Sequence, residues 1–181
     1  DYRRGGYHPV KIGDRFSNDR YTILSKMGWG HFSTVWLSWD STVSQPVALK
    51  IQKSAKRYAE AAKDEVKLLR QVAESEARSG DHHVVRLYDS FAHRGVNGLH
   101  HAMVFEVLGD NLLSLIKATK YKGLPMAVVR SVARAMLLAL DHLHARLRII
   151  HTDLKPENIL CTLHPQQLKA MVDSARAQLE A

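Results

Sequence analysis

The chain has 181 residues, 45% of them apolar and 24% charged, with a formal net charge of +8. That balance is ordinary for a soluble globular chain, for which disorder is not the default reading. One cysteine, Cys161, cannot form an internal disulfide and fits a reducing, intracellular setting, and no apolar run is long enough for a membrane span or a secretory h-region.

Residues 1–20 carry five Lys or Arg and read as an N-terminal extension. From Tyr21 to Gln52 the runs RYTILSKMG, STVWLSWD and PVALKIQ are rich in β-branched and aromatic residues and are separated by Gly, Ser and Pro, which predicts an antiparallel meander. From about Ala55 to Ser79, Ala, Glu, Lys, Leu and Arg dominate, and Ala62, Val66, Leu69 and Val72 recur at helical spacing. VVRLYDSFAH and HHAMVFEVL read as two further strands, joined by a turn at RGVNGL where Asn97-Gly98 is a hairpin signal. Residues 21–108 are therefore expected to form a lobe of five antiparallel strands and one helix.

After Gly109 the pattern turns helical. DNLLSLIKATK predicts a short helix capped by Asp110, and a longer one opens at Pro125, with Val129, Val132, Met136, Leu140 and Leu143 on a stripe built for burial. In IIHTDLKPENIL, charged residues sit between apolar pairs and a proline interrupts, so this stretch is expected to be a loop anchored in a core. Residues 109–163 thus begin a second, helical lobe. In 164–181, Leu168, Met171, Val172, Ala175 and Leu179 share one face of an amphipathic helix.

The positive charge would suit a polyanion, but the Lys and Arg are scattered and no aromatic nucleic-acid signature accompanies them, so a solvated basic surface is expected instead of direct nucleic-acid binding. His142 and His144 stand two apart on a predicted helix and point to different sides, which argues against a zinc site.

Three groups of residues carry chemistry. In GWGHFSTV, Gly28 to Val35, two glycines one residue apart allow a backbone to approach a phosphate, although a plain hairpin uses glycine too. Ser33 replaces the third glycine of a G-x-G-x-x-G pattern and no helix follows, which argues against a dinucleotide-binding Rossmann unit. Lys50 lies inside an apolar strand and Glu65 on the helix after it. An ion pair between them would hold the ammonium for the phosphates of a nucleotide, while a snorkelling lysine and a surface glutamate remain the plain alternative. HTDLKPEN, His151 to Asn158, has the H-x-D-x-x-x-x-N spacing in which Asp153 accepts a hydroxyl proton, Lys155 neutralises phosphoryl charge and Asn158 holds a metal ion.

With these motifs in this order, the chain resembles eukaryotic protein kinases, and more narrowly the SR-protein-specific kinases, through GWGHFSTVWL, MVFEVLG and HTDLKPEN. The resemblance implies an α+β, protein-kinase-like fold and phosphorylation of serines in Arg/Ser-rich proteins with ATP and Mg2+, in the cytoplasm and nucleus. It implies a nucleotide site made by Met27, Gly28, Trp29, Gly30, His31, Phe32, Ser33, Thr34, Val35, Ala48, Lys50 and Glu65. Phe105 would be the gatekeeper beside the adenine, or a core phenylalanine, and Glu106 to Leu108 the hinge.

Thr152 stands where many kinases have the arginine that pairs with a phosphorylated activation loop, which implies activity without that switch. No D-F-G follows Asn158, and the one later aspartate, Asp173, precedes Ser174 and Ala175. The expectation is therefore a kinase domain cut before that segment, with 165–181 as the start of an insert or an unrelated end, an exposed apolar face on the long helix, and little activity in the 181 residues by themselves. A non-catalytic, kinase-derived scaffolding module is the competing reading.

Overall fold

The computed structural model describes residues 1–79 and 83–180. The β-rich runs form strands β1 (Arg15–Phe16), β2 (Tyr21–Trp29), β3 (Ser33–Asp40), β4 (Gln45–Gln52), β5 (Leu87–Gly95) and β6 (Gly98–Phe105). They pair antiparallel in one sheet ordered β1-β2-β3-β4-β6-β5. All five expected strands are present. The sixth, β1, is two residues long, too short for alternation to reveal it. The β5–β6 turn has Val96 and Asn97 at its centre, closed by the Gly95–Gly98 pair, so Gly98 ends the turn and does not sit in its middle. Its φ of +130° is the backbone state that favours glycine there.

One face of the sheet buries Tyr21, Ile23, Trp36, Val47, Leu49, Ile51, Ala102 and Val104 together with Phe16. Removing such side chains from water stabilises the fold by about 1.5–3 kcal/mol each. Directly paired residues share a face, so the pairs Val35–Lys50, Lys50–Met103 and Ala48–Phe105 place these side chains on the opposite face. Arg20, just before β2, links β3 and β5, donating to both Asp40 carboxylate oxygens at 2.8–3.1 Å and to Asp89 at 3.1 Å. Burial alone would raise the Asp40 carboxyl, but the Arg20 guanidinium overcomes this and holds it below the usual carboxylate range.

Helix α1 (Lys56–Ser79) turns its expected stripe inward, with Ala62 and Val72 buried. Contacts divide the chain into two units: Asp1–Leu69, Arg86–Val107 and His164–Ala181 form one, and Arg70–Val85 and Leu108–Leu163 the other. The second contains strand β7 (Leu108–Asn111), helices α2 (Leu112–Ala118) and α3 (Met126–Asp141), a π turn at His142–Arg146, a 3-10 turn at Pro156–Asn158 and strand β8 (Leu160–Thr162), which pairs antiparallel with β7. Helix α4 (Pro165–Glu180) belongs to the first unit, where it packs on β2 with Val172 and Ala175 buried and the Arg176 guanidinium 3.9 Å over the Trp39 ring. Ala181 lies outside the described residues.

Three sequence expectations need correction. The cap of α2 is Asn111, not Asp110; its side-chain oxygen accepts the Ser114 amide at 2.9 Å, which Asp110 is one position too early to do. The stripe on α3 is only partly covered: Leu143 is buried, Val132, Met136 and Leu140 are half-buried, and Val129 is exposed. The HTDLKPEN loop is not set in an apolar core, because Ile150, Leu154 and Leu160 are exposed. Main-chain pairing of β7 with β8 and the bond from Leu112 N–H to Ile159 O at 2.8 Å hold it instead.

In the first unit, the His8 ring meets His93 edge-on at 4.6 Å and lies tilted against His100 at 5.0 Å, and a Cβ on Gly95 would collide with the His8 ring, so only glycine admits it. Burial, then the neighbouring His93 and His100, push His8 down to about 4 against the pull of Asp14. Below its ordinary value of 6.5 the unfolded chain takes up a proton that the folded one refuses, so stability is full above that value and is lost as pH falls toward about 4. The urea midpoint is therefore expected to drop between about pH 7 and about pH 5, and to drop less in His8→Gln. Equal midpoints at the two pH values would contradict this account.

Candidate active site

In the first unit, β4 carries Lys50 on the face of the sheet opposite the core, and α1 brings Glu65 to it. Lys50 Nζ donates to Glu65 Oε1 at 2.7 Å, and Gln52 Nε2 donates to Glu65 Oε2 at 3.1 Å. The lysine and glutamate side chains are 25% and 35% exposed, so the pair is reachable from solvent. The ammonium also stands 5.9 Å from the centre of the Phe105 ring, and Ala48, paired with Phe105, leaves the space beside it free of a large side chain. The snorkelling alternative for Lys50 is set aside by this geometry. Gln52 was not singled out in the sequence, although strand alternation puts it on the same face as Lys50.

The glycine-rich stretch is the β2–β3 hairpin. Gly28 and Gly30 have no left-handed φ, and a Cβ built on either meets no atom within 4 Å. Neither the turn nor the packing therefore requires glycine at these two positions. What the missing side chains leave is open backbone, suited to close approach by a ligand. Met27 and Gly28 are half-buried, and Trp29, Gly30, His31 and Phe32 are exposed along the tip, which the Gly30 N–H to Ser33 O bond closes at 2.9 Å. Ser33 is buried beneath it and Val35 lies on the Lys50 face. Thr34 corrects the expectation: it is 1% exposed, pairs with core-facing Ile51, and its hydroxyl accepts the Trp36 indole N–H at 3.0 Å, so its side chain is turned away from any ligand.

Phe105 ends β6 and is buried. Glu106 exchanges main-chain and side-chain bonds with Arg86: its N–H donates to Arg86 O at 3.3 Å and its Oε1 accepts the Arg86 N–H at 2.9 Å. The Glu106 carboxylate is thus engaged with Arg86. Leu108, in the second unit, pairs with Thr162.

Also in the second unit, the H-x-D-x-x-x-x-N spacing closes into one polar cluster. Lys155 Nζ donates to Asp153 Oδ1 at 2.9 Å, and Asn158 Nδ2 donates both to Asp153 Oδ2 at 2.9 Å and to Asp153 O at 2.8 Å. The Asn158 amide nitrogen is spent on Asp153, which leaves its carbonyl oxygen as the atom for a metal ion. The hydrogen bond from Lys155, then that from Asn158, holds the Asp153 carboxyl below its ordinary range, and Asp153 in turn raises Lys155. Asp153 is exposed and ionised at neutral pH. Thr152 before it has a φ of +59°, a strained state for a β-branched residue that turns the chain sharply ahead of the aspartate.

Comparison with known proteins agrees with this geometry. The protein kinase domain model matches residues 21–173. The chain is 53% identical over 176 residues to serine/threonine-protein kinase spk-1 of Caenorhabditis elegans, covering 97% of this chain and 17% of that protein. It is 50% identical over 176 residues to human SRSF protein kinase 3, covering 97% of this chain and 31% of that protein. It is 49% identical over 164 residues to serine/threonine-protein kinase SKY1 of Saccharomyces cerevisiae, covering 88% of this chain and 22% of that protein. The chain spans well under half the length of these relatives. It belongs to the protein kinase domain family, whose members use ATP with a divalent metal. The relatives that it matches over most of its own length are named as serine/threonine-protein kinases and as an SRSF protein kinase.

Because Lys155 is the first cause of the low Asp153 value, Lys155→Met is expected to move that carboxyl back up toward 3.8, read from the side-chain carbon shift in an NMR titration. An unmoved titration would show that the ammonium does not govern it.

Proposed function

We propose that this chain supplies the nucleotide-binding and catalytic-loop parts of an ATP-dependent serine/threonine kinase that phosphorylates serines in Arg/Ser-rich proteins. The observation that carries the reading is the Lys50–Glu65 ion pair at 2.7 Å on the sheet face opposite the core. The relatives named as SR-type kinases support the substrate class. We place its work in the cytoplasm and nucleus, where such substrates are handled.

The residues fit ATP and magnesium on three grounds: the open backbone at Gly28 and Gly30, a fixed and reachable ammonium at Lys50, and the uncommitted carbonyl oxygen of Asn158. Glu65 and Gln52 hold Lys50 in one geometry, so its charge is already in place for the phosphates. Phe105 and the main chain from Glu106 to Leu108 would receive the adenine. Asp153, kept ionised, accepts the proton of the substrate serine hydroxyl as the serine oxygen attacks the γ-phosphorus, whose bond to the bridging oxygen breaks to release ADP. Lys155, bonded to Asp153, provides a positive charge for the equatorial oxygens of the transferring group. Bound magnesium would neutralise charge on the triphosphate, held in part by Asn158.

Thr152 cannot pair with a phosphorylated residue as an arginine would, so activity is proposed to be independent of activation-loop phosphorylation. In the full-length protein, Asp153→Ala is expected to lower kcat on an Arg/Ser-rich peptide by roughly 10²–10⁴-fold with little change in melting temperature. Phosphatase-treated wild type is expected to keep its rate. Wild-type phosphorylation by the Asp153→Ala protein would end the catalytic assignment.

A further inference from the structure

The N-terminal segment, read from sequence only as a basic extension, is bonded to two places on the first unit. Gly5 N–H donates to Asn97 O at 3.0 Å, and Asn97 Nδ2 donates to Tyr7 O at 2.7 Å, which fastens it to the β5–β6 turn. Ser54 N–H and Ala55 N–H donate to Gly6 O and Gly5 O at 3.1 and 3.0 Å, which fastens it to the link between β4 and α1. Lys53, in the same link, adds a side-chain hold. Its side chain is only 6% exposed, its ammonium pairs with Asp1 Oδ2 at 2.7 Å, and that ammonium lies 4.5 Å from the Tyr7 ring centre and 5.7 Å from that of Tyr58.

From this anchored position the Tyr7 hydroxyl donates to Gly30 O at 2.6 Å, at the tip of the glycine-rich hairpin. The same tip is held at Phe32, whose carbonyl accepts the Lys53 N–H at 2.9 Å and whose ring meets Tyr58 edge-on at 5.6 Å. Apart from the bonds within the hairpin, the tip is otherwise exposed, with Trp29 at 73%. A turn with two glycines gains much freedom when unfastened, and ordering it on a ligand then opposes binding.

We propose that Tyr7 is a positioning residue: its hydroxyl holds the Gly30 carbonyl and so keeps the glycine-rich tip ordered before the nucleotide phosphates arrive. This rests on the nucleotide-binding role given to that hairpin above. Tyr7 touches no phosphate. It acts through Gly30, so its loss weakens ATP binding and leaves the chemical step alone.

The test uses full-length protein labelled with 5-fluorotryptophan, in wild type, Tyr7→Phe, Lys50→Met and, as a control, Tyr2→Phe, which removes the hydroxyl from the ring tilted against Tyr7. With one neutral hydrogen bond lost, Tyr7→Phe is expected to bind a fluorescent ATP analogue about fivefold more weakly and to raise KM for ATP by about the same factor. Its kcat and its KM for the peptide stay near wild type, and Tyr2→Phe matches wild type throughout. Without nucleotide, the Trp29 fluorine resonance shifts and narrows in Tyr7→Phe, reporting a freed tip. If the analogue binds wild type, is lost in Lys50→Met and is held unchanged by Tyr7→Phe, the role of Tyr7 is refuted while the nucleotide reading stands. If the analogue binds neither wild type nor Lys50→Met, the nucleotide reading falls and the role of Tyr7 with it. An unaltered Trp29 resonance in Tyr7→Phe overturns the positioning contact itself.

Discussion

A cation inside a sheet needs an opposite charge within reach, and Lys50 finds it in Glu65, 2.7 Å away on a different element. With both side chains a quarter to a third exposed, such a pair contributes on the order of 0–1 kcal/mol to stability. An apolar side chain fully buried at the same strand position would give about 1.5–3 kcal/mol. Stability therefore does not explain why the strand carries an ammonium. The pair sets a demand on the rest of the unit: α1 must present Glu65 to β4, and β6 must bring Phe105 alongside. Gln52, two residues along the strand, satisfies the second carboxylate oxygen, so the glutamate is fixed from two sides.

The catalytic-loop cluster follows the opposite plan. Lys50 depends on contact between distant segments, whereas Asp153, Lys155 and Asn158 lie within six residues and are joined by hydrogen bonds of 2.8–2.9 Å. Such a short loop could adopt many shapes. Here the left-handed Thr152 turns it before the aspartate, the 3-10 turn at Pro156–Asn158 brings the asparagine back, and the pairing of β8 with β7 anchors its C-terminal end. Apolar burial has little part in this, which is why the exposed Ile150, Leu154 and Leu160 do not disturb the polar geometry.

The first unit also shows how a segment without any internal pattern can be fully determined by its surroundings. Residues 1–8 form no strand or helix, yet carbonyls, amides, a buried lysine and a histidine cluster fix their path. Gly95 belongs to the same arrangement, since the ring of His8 occupies the space its side chain would need.

Local chemistry was enough to read the five main strands, α1, α4 and the spacing of Asp153, Lys155 and Asn158, because alternation, helical periodicity and a short polar motif are properties of contiguous residues. Lys50 could be recognised as anomalous from its strand alone, but that Glu65 answers it, and that Gln52 shares the carboxylate, depends on the packing of α1 against β4. Likewise Thr34 looked like part of the glycine-rich stretch until strand pairing turned its side chain to Trp36. The short strands β1, β7 and β8, and the bond from Tyr7 to Gly30, left no trace in any local pattern. Each is a hydrogen bond whose partner is chosen by three-dimensional register, and periodicity along a chain records which face a residue prefers, not which distant atom it meets.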